Sequence, residues 1–134
     1  MVLSSSAGSW AGQDLAQRLV AAPTAFVGRV SYAENYGGLS YLKLTVTESI
    51  RNAPAVGAPL DLLSDIADNC DLRFQVDQLW LIFARTQHVG YRNHSPDGSL
   101  LLTEADGTPD CVAWRAAAAL LSDTFRAAIP PTCR

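Results

Sequence analysis

Leu79-Trp-Leu-Ile-Phe-Ala84 is an unbroken apolar run of strand length, and two longer runs of alternating character precede it. Apolar stretches this short, rich in aliphatic and aromatic side chains, read as strands rather than helices. The first alternating run, 24–34, sets Phe26, Gly28, Val30 and Tyr32 on one face and Ala25, Val27 and Arg29 on the other. Gly28 inside a strand marks a bend or a close backbone approach, as closure of a barrel requires. The second run, 40–50, alternates Leu42, Leu44 and Val46 with Lys43, Thr45 and Thr47, one face buried and one wet. Between them Asn35-Tyr-Gly-Gly38 has the chemistry of a hairpin turn. Leu60-Asp-Leu-Leu-Ser64 is a weaker third strand, the 79–84 run is the fourth and central one, and Ser99-Leu-Leu-Leu-Thr103 is the fifth.

Helical signals flank these strands. Leu15, Leu19 and Ala22 recur at helical spacing within 12–22, and Pro23 ends that segment. Cys111 to Ala128 reads as one C-terminal helix, stopped by Pro130-Pro131. The expected fold class is therefore mainly β with flanking helices: a five-stranded OB-fold-type barrel, a short N-terminal helix and a C-terminal helix. The runner-up is an α+β sandwich on an open sheet. With 134 residues the chain is expected to be a flexible lead-in over 1–10 and a single domain over 11–134.

Composition excludes several classes. Apolar residues make up 49% and charged residues 17%, the balance of a folded domain and not of a disordered one. The net charge is −3 and Lys43 is the only lysine, so phosphate-driven nucleic-acid binding is disfavoured. No apolar run approaches the ~20 residues of a transmembrane helix. Met1 to Trp10 lacks a basic segment followed by an apolar core, so either the protein is not exported or its leader is absent from this sequence.

Three cysteines, Cys70, Cys111 and Cys133, and two histidines, His88 and His94, make no standard zinc spacing. The cysteines read either as thiols of a reducing compartment or as one disulfide plus a remaining thiol in an exported protein. Asp61, Asp65, Asp68 and Asp71 could bind calcium, although a solvated loop is the plainer reading. His88 and His94, near Asp97, lie in a polar link and read as exposed histidines rather than a metal pair. Ser5, Ser6 and Ser9 lie in a flexible segment, and neither Cys70 nor Cys111 has a histidine near it in sequence, so the chain reads as a non-enzyme with no metal and no cofactor. Trp80 reads as barrel core or wall, and Trp114 as the face of the last helix that packs on the barrel. Trp10 sits in a polar, glycine-flanked segment where core burial is not implied, and could dock onto the barrel or onto a partner. Tyr32, Tyr36, Tyr41 and Tyr91 flank turns, and exposed aromatics at a barrel rim act as binding anchors. Ordinary tyrosine amphipathicity is the competing explanation.

The ordered motifs resemble the netrin-like (NTR) family, which includes the tissue inhibitors of metalloproteinases (TIMPs). Phe26-Val-Gly-Arg-Val30 is similar to that family's F-x-G-x-V first strand. Tyr41 to Ile50 with Arg51-Asn-Ala-Pro54 is similar to its second strand and turn. Cys70 with Phe74, the 79–84 run, Gly98 to Leu102 and Cys111 follow in the family's order, so the likeness spans roughly 15–115. The family's inhibitors chelate the protease zinc through an N-terminal Cys-x-Cys, whose two cysteines are tied to the positions that Cys70 and Cys111 match. This chain has no cysteine before Cys70, so inhibition in that mode is not expected of it as written. The resemblance implies that Cys70 and Cys111 are neighbours, and the expected disulfide is Cys70–Cys111, closing about 40 residues. Cys133 is then free or able to link a dimer.

The expected function is a non-catalytic, exported NTR/TIMP-like binding module that engages a protein or a cell surface. Loops 35–39, 65–77 and 86–98 would form its rim, with Tyr36, Tyr91, His94 and Trp10 as candidate contacts. The alternative is a metalloprotease inhibitor whose native N-terminus differs. A lipid-anchored precursor, with an acylated cysteine ahead of the Ser/Gly-rich segment, is a related expectation and excludes zinc chelation by that cysteine. A small enzyme or ligand carrier using the barrel interior ranks last.

Overall fold

Leu79–Thr86 is apolar over its first six residues because those residues separate two cores. Trp80, Ile82 and Ala84 point into a barrel, while Leu79, Leu81 and Phe83 point outward under a layer of helices. The computed structural model describes residues 15–36, 39–65, 74–86, 90–93 and 99–134. Its strands are β1 (Thr24–Tyr36), β2 (Leu39–Arg51), β3 (Pro59–Asp65), β4 (Leu79–Thr86), β5 (Tyr91–Asn93) and β6 (Leu100–Thr103). Its helices are α1, described over 15–21, α2 (Cys111–Ala118) and α3 (Asp123–Ala127), with a 3-10 turn at Pro131–Cys133.

The barrel is closed. β1 pairs antiparallel with both β2 and β4; β2 pairs with β3, β3 runs parallel to β5, and β5 returns to β4. The order β1-β2-β3-β5-β4-β1 is that of a five-stranded OB-type barrel. Side chains fill it: Phe26, Leu42, Leu44, Leu62 and Ile82 are each at most 1% exposed. Each such residue contributes about 1.5–3 kcal/mol by leaving water. Gln78 is one of the polar residues buried with them. Its Oε1 accepts the Trp80 indole N–H at 2.9 Å and the Gln75 N–H at 2.8 Å, so no buried acceptor is stranded there.

Closure depends on local backbone choices. Register shifts interrupt the β1–β2 ladder between Ala25 and Phe26, Val27 and Gly28, and Val30 and Tyr32. Such shifts coil a strand pair strongly enough to bend it around a barrel. At Gly28 a Cβ would lie 3.1 Å from the Phe26 ring and 3.3 Å from Leu44, so the close approach expected of this glycine is present. Gly90 enters β5 at φ +75°, with the Asp61 carbonyl 3.0 Å from where a Cβ would be.

Three expectations are corrected here. The fifth barrel strand is Tyr91–Asn93, which lies in the stretch read as a turn-rich link, and Leu100–Thr103 is a sixth strand added outside the ring on β4. Three residues are too few to show a period of two, so the closing strand carries no sequence signature. The C-terminal helix is two helices. The Ser122 hydroxyl accepts the Phe125 N–H at 3.2 Å and caps a new helix, while the Ser122 Oγ–H donates to Glu48 on β2. The expected Cys70–Cys111 disulfide is replaced by Cys111–Cys133, with Cα atoms 4.9 Å apart, so Cys133 is neither free nor available to link a dimer. The reason is the return of the chain after α3. Arg115 Nε donates to the Cys133 carbonyl at 3.0 Å, which seats the 3-10 turn against α2 beside Cys111. Cys70 lies outside the described residues.

The outer core holds the helices in place. Leu15, Trp114, Ala117, Leu121 and Phe125 pack over Val27, Leu81 and Phe83. Trp114 stacks on Phe125 with ring centroids 5.0 Å apart, and its indole N–H donates to Thr103 Oγ1 at 3.1 Å. At the other end Arg51 donates to the Leu19 and Ala22 carbonyls at 2.5 and 2.7 Å, satisfying the acceptors that the end of α1 leaves unpaired. No helix among the described residues is long and apolar enough to cross a membrane.

Candidate functional site

The bulge before Tyr32 determines what the barrel shows to its surroundings. Strict alternation would keep Tyr32 on the inner face with Phe26 and Val30. The register shift between Val30 and Tyr32 turns it outward instead, to 42% exposure, and Ala33 takes the inner side. From there Tyr32, Glu34 and Tyr36 line one outer face of β1. The registers continue the rows across the sheet: Tyr32–Lys43–Asp61 and Glu34–Tyr41–Leu63. Tyr36, opposite Leu39 at the hairpin end, is 56% exposed.

These side chains are organised around one carboxylate. Tyr32 Oη donates to Glu34 Oε1 at 2.6 Å, and Tyr36 hydrogen-bonds the same carboxylate from the other side. Hydrogen bonds from Tyr32, and secondly Tyr36, hold Glu34 below the usual carboxylate range, so it is anionic at neutral pH. The same bond raises Tyr36 to about 12, with burial and the nearby charge of Glu34 adding to it, and raises Tyr32 likewise. Tyr41 meets Tyr32 edge-on at 6.0 Å between centroids, and its hydroxyl lies 3.4 Å from Asp61 Oδ1. Ser40, fully buried, donates to Asn35 Oδ1 and braces the base of the hairpin. Two donors orient the carboxylate, and the carboxylate in turn orients two rings on this face.

The sequence candidates divide. Tyr36 belongs to this face, together with Tyr32 and Tyr41. Tyr91 does not: it is half-buried on β5 and packs against the barrel interior, 6.5 Å from Phe26 between centroids. Trp10, His88, His94 and Asp97 lie outside the described residues, as do Asp68 and Asp71 and most of loops 65–77 and 86–98. Asp61 is exposed beside Tyr41, and no group of three or more metal-ligating side chains occurs among the described residues. Glu34 and the bulge were missed in the sequence. The only signal for them was Tyr-x-Glu-x-Tyr within a strand.

Among the described residues a concavity of about 340 Å³ lies by Leu19, Arg51 and Ser122, and another of similar volume lies between the barrel wall and the C-terminal helices. The polar groups of the second are engaged internally: Arg29 donates to the Asp77 carbonyl at 3.0 Å, Glu48 accepts from Ser122 at 2.9 Å, and the Trp114 N–H is bound to Thr103. A cleft whose polar groups already have partners offers a ligand little beyond apolar contact. Among the described residues the tyrosine face is a candidate of another kind, an exposed surface rather than a cleft; no protein-family model and no curated protein matches this chain.

Proposed function

We propose that this chain is a non-catalytic binding module of the netrin-like type, exported, which holds a protein partner on the outer face of the β1–β2 hairpin. The observation that carries the reading is the set of three outward tyrosines, Tyr32, Tyr36 and Tyr41, ordered around Glu34 on a strand pair rather than on loose loops. Tyrosine is enriched among the residues that dominate protein interfaces, because it combines a rigid apolar ring with a polar tip. The closed barrel, the flanking helices and an intrachain disulfide support the netrin-like assignment, although the pairing Cys111–Cys133 departs from that family's pattern. The disulfide also supports an oxidising, exported location. The filled interior favours surface recognition over carriage of a ligand inside the barrel.

The test is capture in the producing cells, with a photo-crosslinking side chain at position 32, followed by titration of the captured protein in purified form. Replacing Tyr32, Tyr36 and Tyr41 together by alanine is expected to weaken binding by at least about 30-fold, the loss of one strong interface anchor or more. Unchanged affinity in a variant that still unfolds cooperatively overturns the proposal.

A further inference from the structure

The tyrosine face borders a strand edge that is open among the described residues. The β1–β4 ladder ends at Arg29↔Leu79, followed by a last pair of bonds between Val30 and the Asp77–Gln78 turn. From Ser31 to Tyr36, β1 pairs only with β2 among the described residues, and Ser31, Tyr32, Asn35 and Tyr36 are all exposed. Six residues of strand present roughly 20 Å of backbone edge. Proteins blunt such edges with charged side chains, proline or bulges. This one has no lysine or proline; its bulge sits at its start, at Ser31, and its central outward residue is Glu34.

We propose that this edge accepts an extended segment of the protein partner as an added strand, with an arginine of that segment placed opposite Glu34 between Tyr32 and Tyr36. The inference rests on the binding function proposed above. Strand addition places every second residue of the incoming segment on the tyrosine face. The residue directly opposite Glu34 comes within about 5 Å of it at Cβ, with Tyr32 and Tyr36 as its diagonal neighbours at about 7–8 Å. A guanidinium suits that position. It pairs with a carboxylate through its planar fork and stacks on aromatic faces, which a lysine ammonium does less well. The partners of Glu34 among the described residues are two phenol hydroxyls, which orient its charge without neutralising it. A second copy of this chain fits worse. Antiparallel self-pairing about Glu34 sets two carboxylates face to face, which destabilises a strand pair.

The experiment follows backbone amide resonances of the full chain during titration with a capped hexapeptide alternating valine and arginine. Saturable shifts confined to Ser31–Tyr36 and the facing part of β2 are expected. The same peptide with citrulline in place of arginine is expected to bind roughly fivefold more weakly, the effect of a single exposed ion pair, and Glu34→Gln is expected to erase that difference. Of two arginine peptides N-methylated on alternate amides, only the one methylated on its β1-facing side loses binding. Shifts elsewhere, no saturable binding, or equal binding of the arginine and citrulline peptides overturns the inference. So does concentration-dependent self-association through the same amides, which would assign the edge to a second copy. If the crosslinked partner depends on the three tyrosines while the peptides fail, this inference falls and the binding function stands. If the triple alanine variant holds its partner unchanged, the function proposed above falls first.

Discussion

Removing the Cys111–Cys133 disulfide tests the account of the C-terminal layer most directly. The bond spans 22 residues and encloses α2, α3 and the turn that carries Cys133. For a closure of that length the chain-entropy relation gives about 11 cal/mol/K withheld from the unfolded chain, or about 3.4 kcal/mol at 25 °C. That is a large share of the ~5–15 kcal/mol by which a domain is usually stable. Cys133 is 1% exposed within the outer core, so both positions are best changed to alanine, which adds no bulk to that site. Urea unfolding of the Cys111→Ala/Cys133→Ala variant is expected to show a loss of about 3 kcal/mol against the oxidised protein, and a midpoint lower by roughly 1–3 M. The pairing has its own check. Trypsin under non-reducing conditions should release fragment 93–115 joined to 127–134, with the Cys70 fragment, 52–73, not joined to either. A 52–73 to 93–115 species refutes the connectivity. The correct species with a stability loss under about 1 kcal/mol refutes the entropic reasoning instead.

Gly28→Ala places a methyl group 3.1–3.3 Å from Phe26 and Leu44 and is expected to cost about 1–3 kcal/mol in the same unfolding assay; an unchanged midpoint rejects the tight approach at the barrel bend. Tyr36 is expected to ionise near pH 12 because Glu34 hydrogen-bonds its neutral form, and Glu34→Gln should return it toward ~10, read by phenolate absorbance or ring resonances. By the same linkage the hairpin's support from Tyr36 is complete below pH ~10 and is lost as pH rises toward 12. Support from Glu34 is complete above its ordinary value near ~4.3 and is lost as pH falls through its lowered folded value. Tyr36 titrating at ~10 in the unaltered protein would contradict the arrangement.

The candidate site was legible only in part. Exposed tyrosines near turns were visible in the sequence, but which of them share a face was not. Tyr36 and Tyr91 looked equivalent there, both beside turn residues. The structure separates them because β5 turns Tyr91 toward Phe26 while the hairpin carries Tyr36 into solvent. Glu34 passed as one more surface charge. Its significance comes from two hydroxyls that only the pleat brings to it, from residues two positions away on either side.

The sequence by itself determined the long strands and the broad architecture. Burial on one face writes a period of two into β2, burial on both faces writes the apolar run of β4, and helical spacing marks α1. The tertiary structure decided what those patterns leave open. A single-residue bulge at Ser31 reversed the facing of Tyr32, a three-residue strand closed the barrel, and a serine cap split one helical stretch into two. It also decided the disulfide, because thiol pairing depends on which backbone segments return to each other and not on their order along the chain. Periodicity records the average environment of a stretch of residues. Bulges, short closing strands and long-range pairings are single-residue events stabilised by contacts distant in sequence, so they leave no period to read.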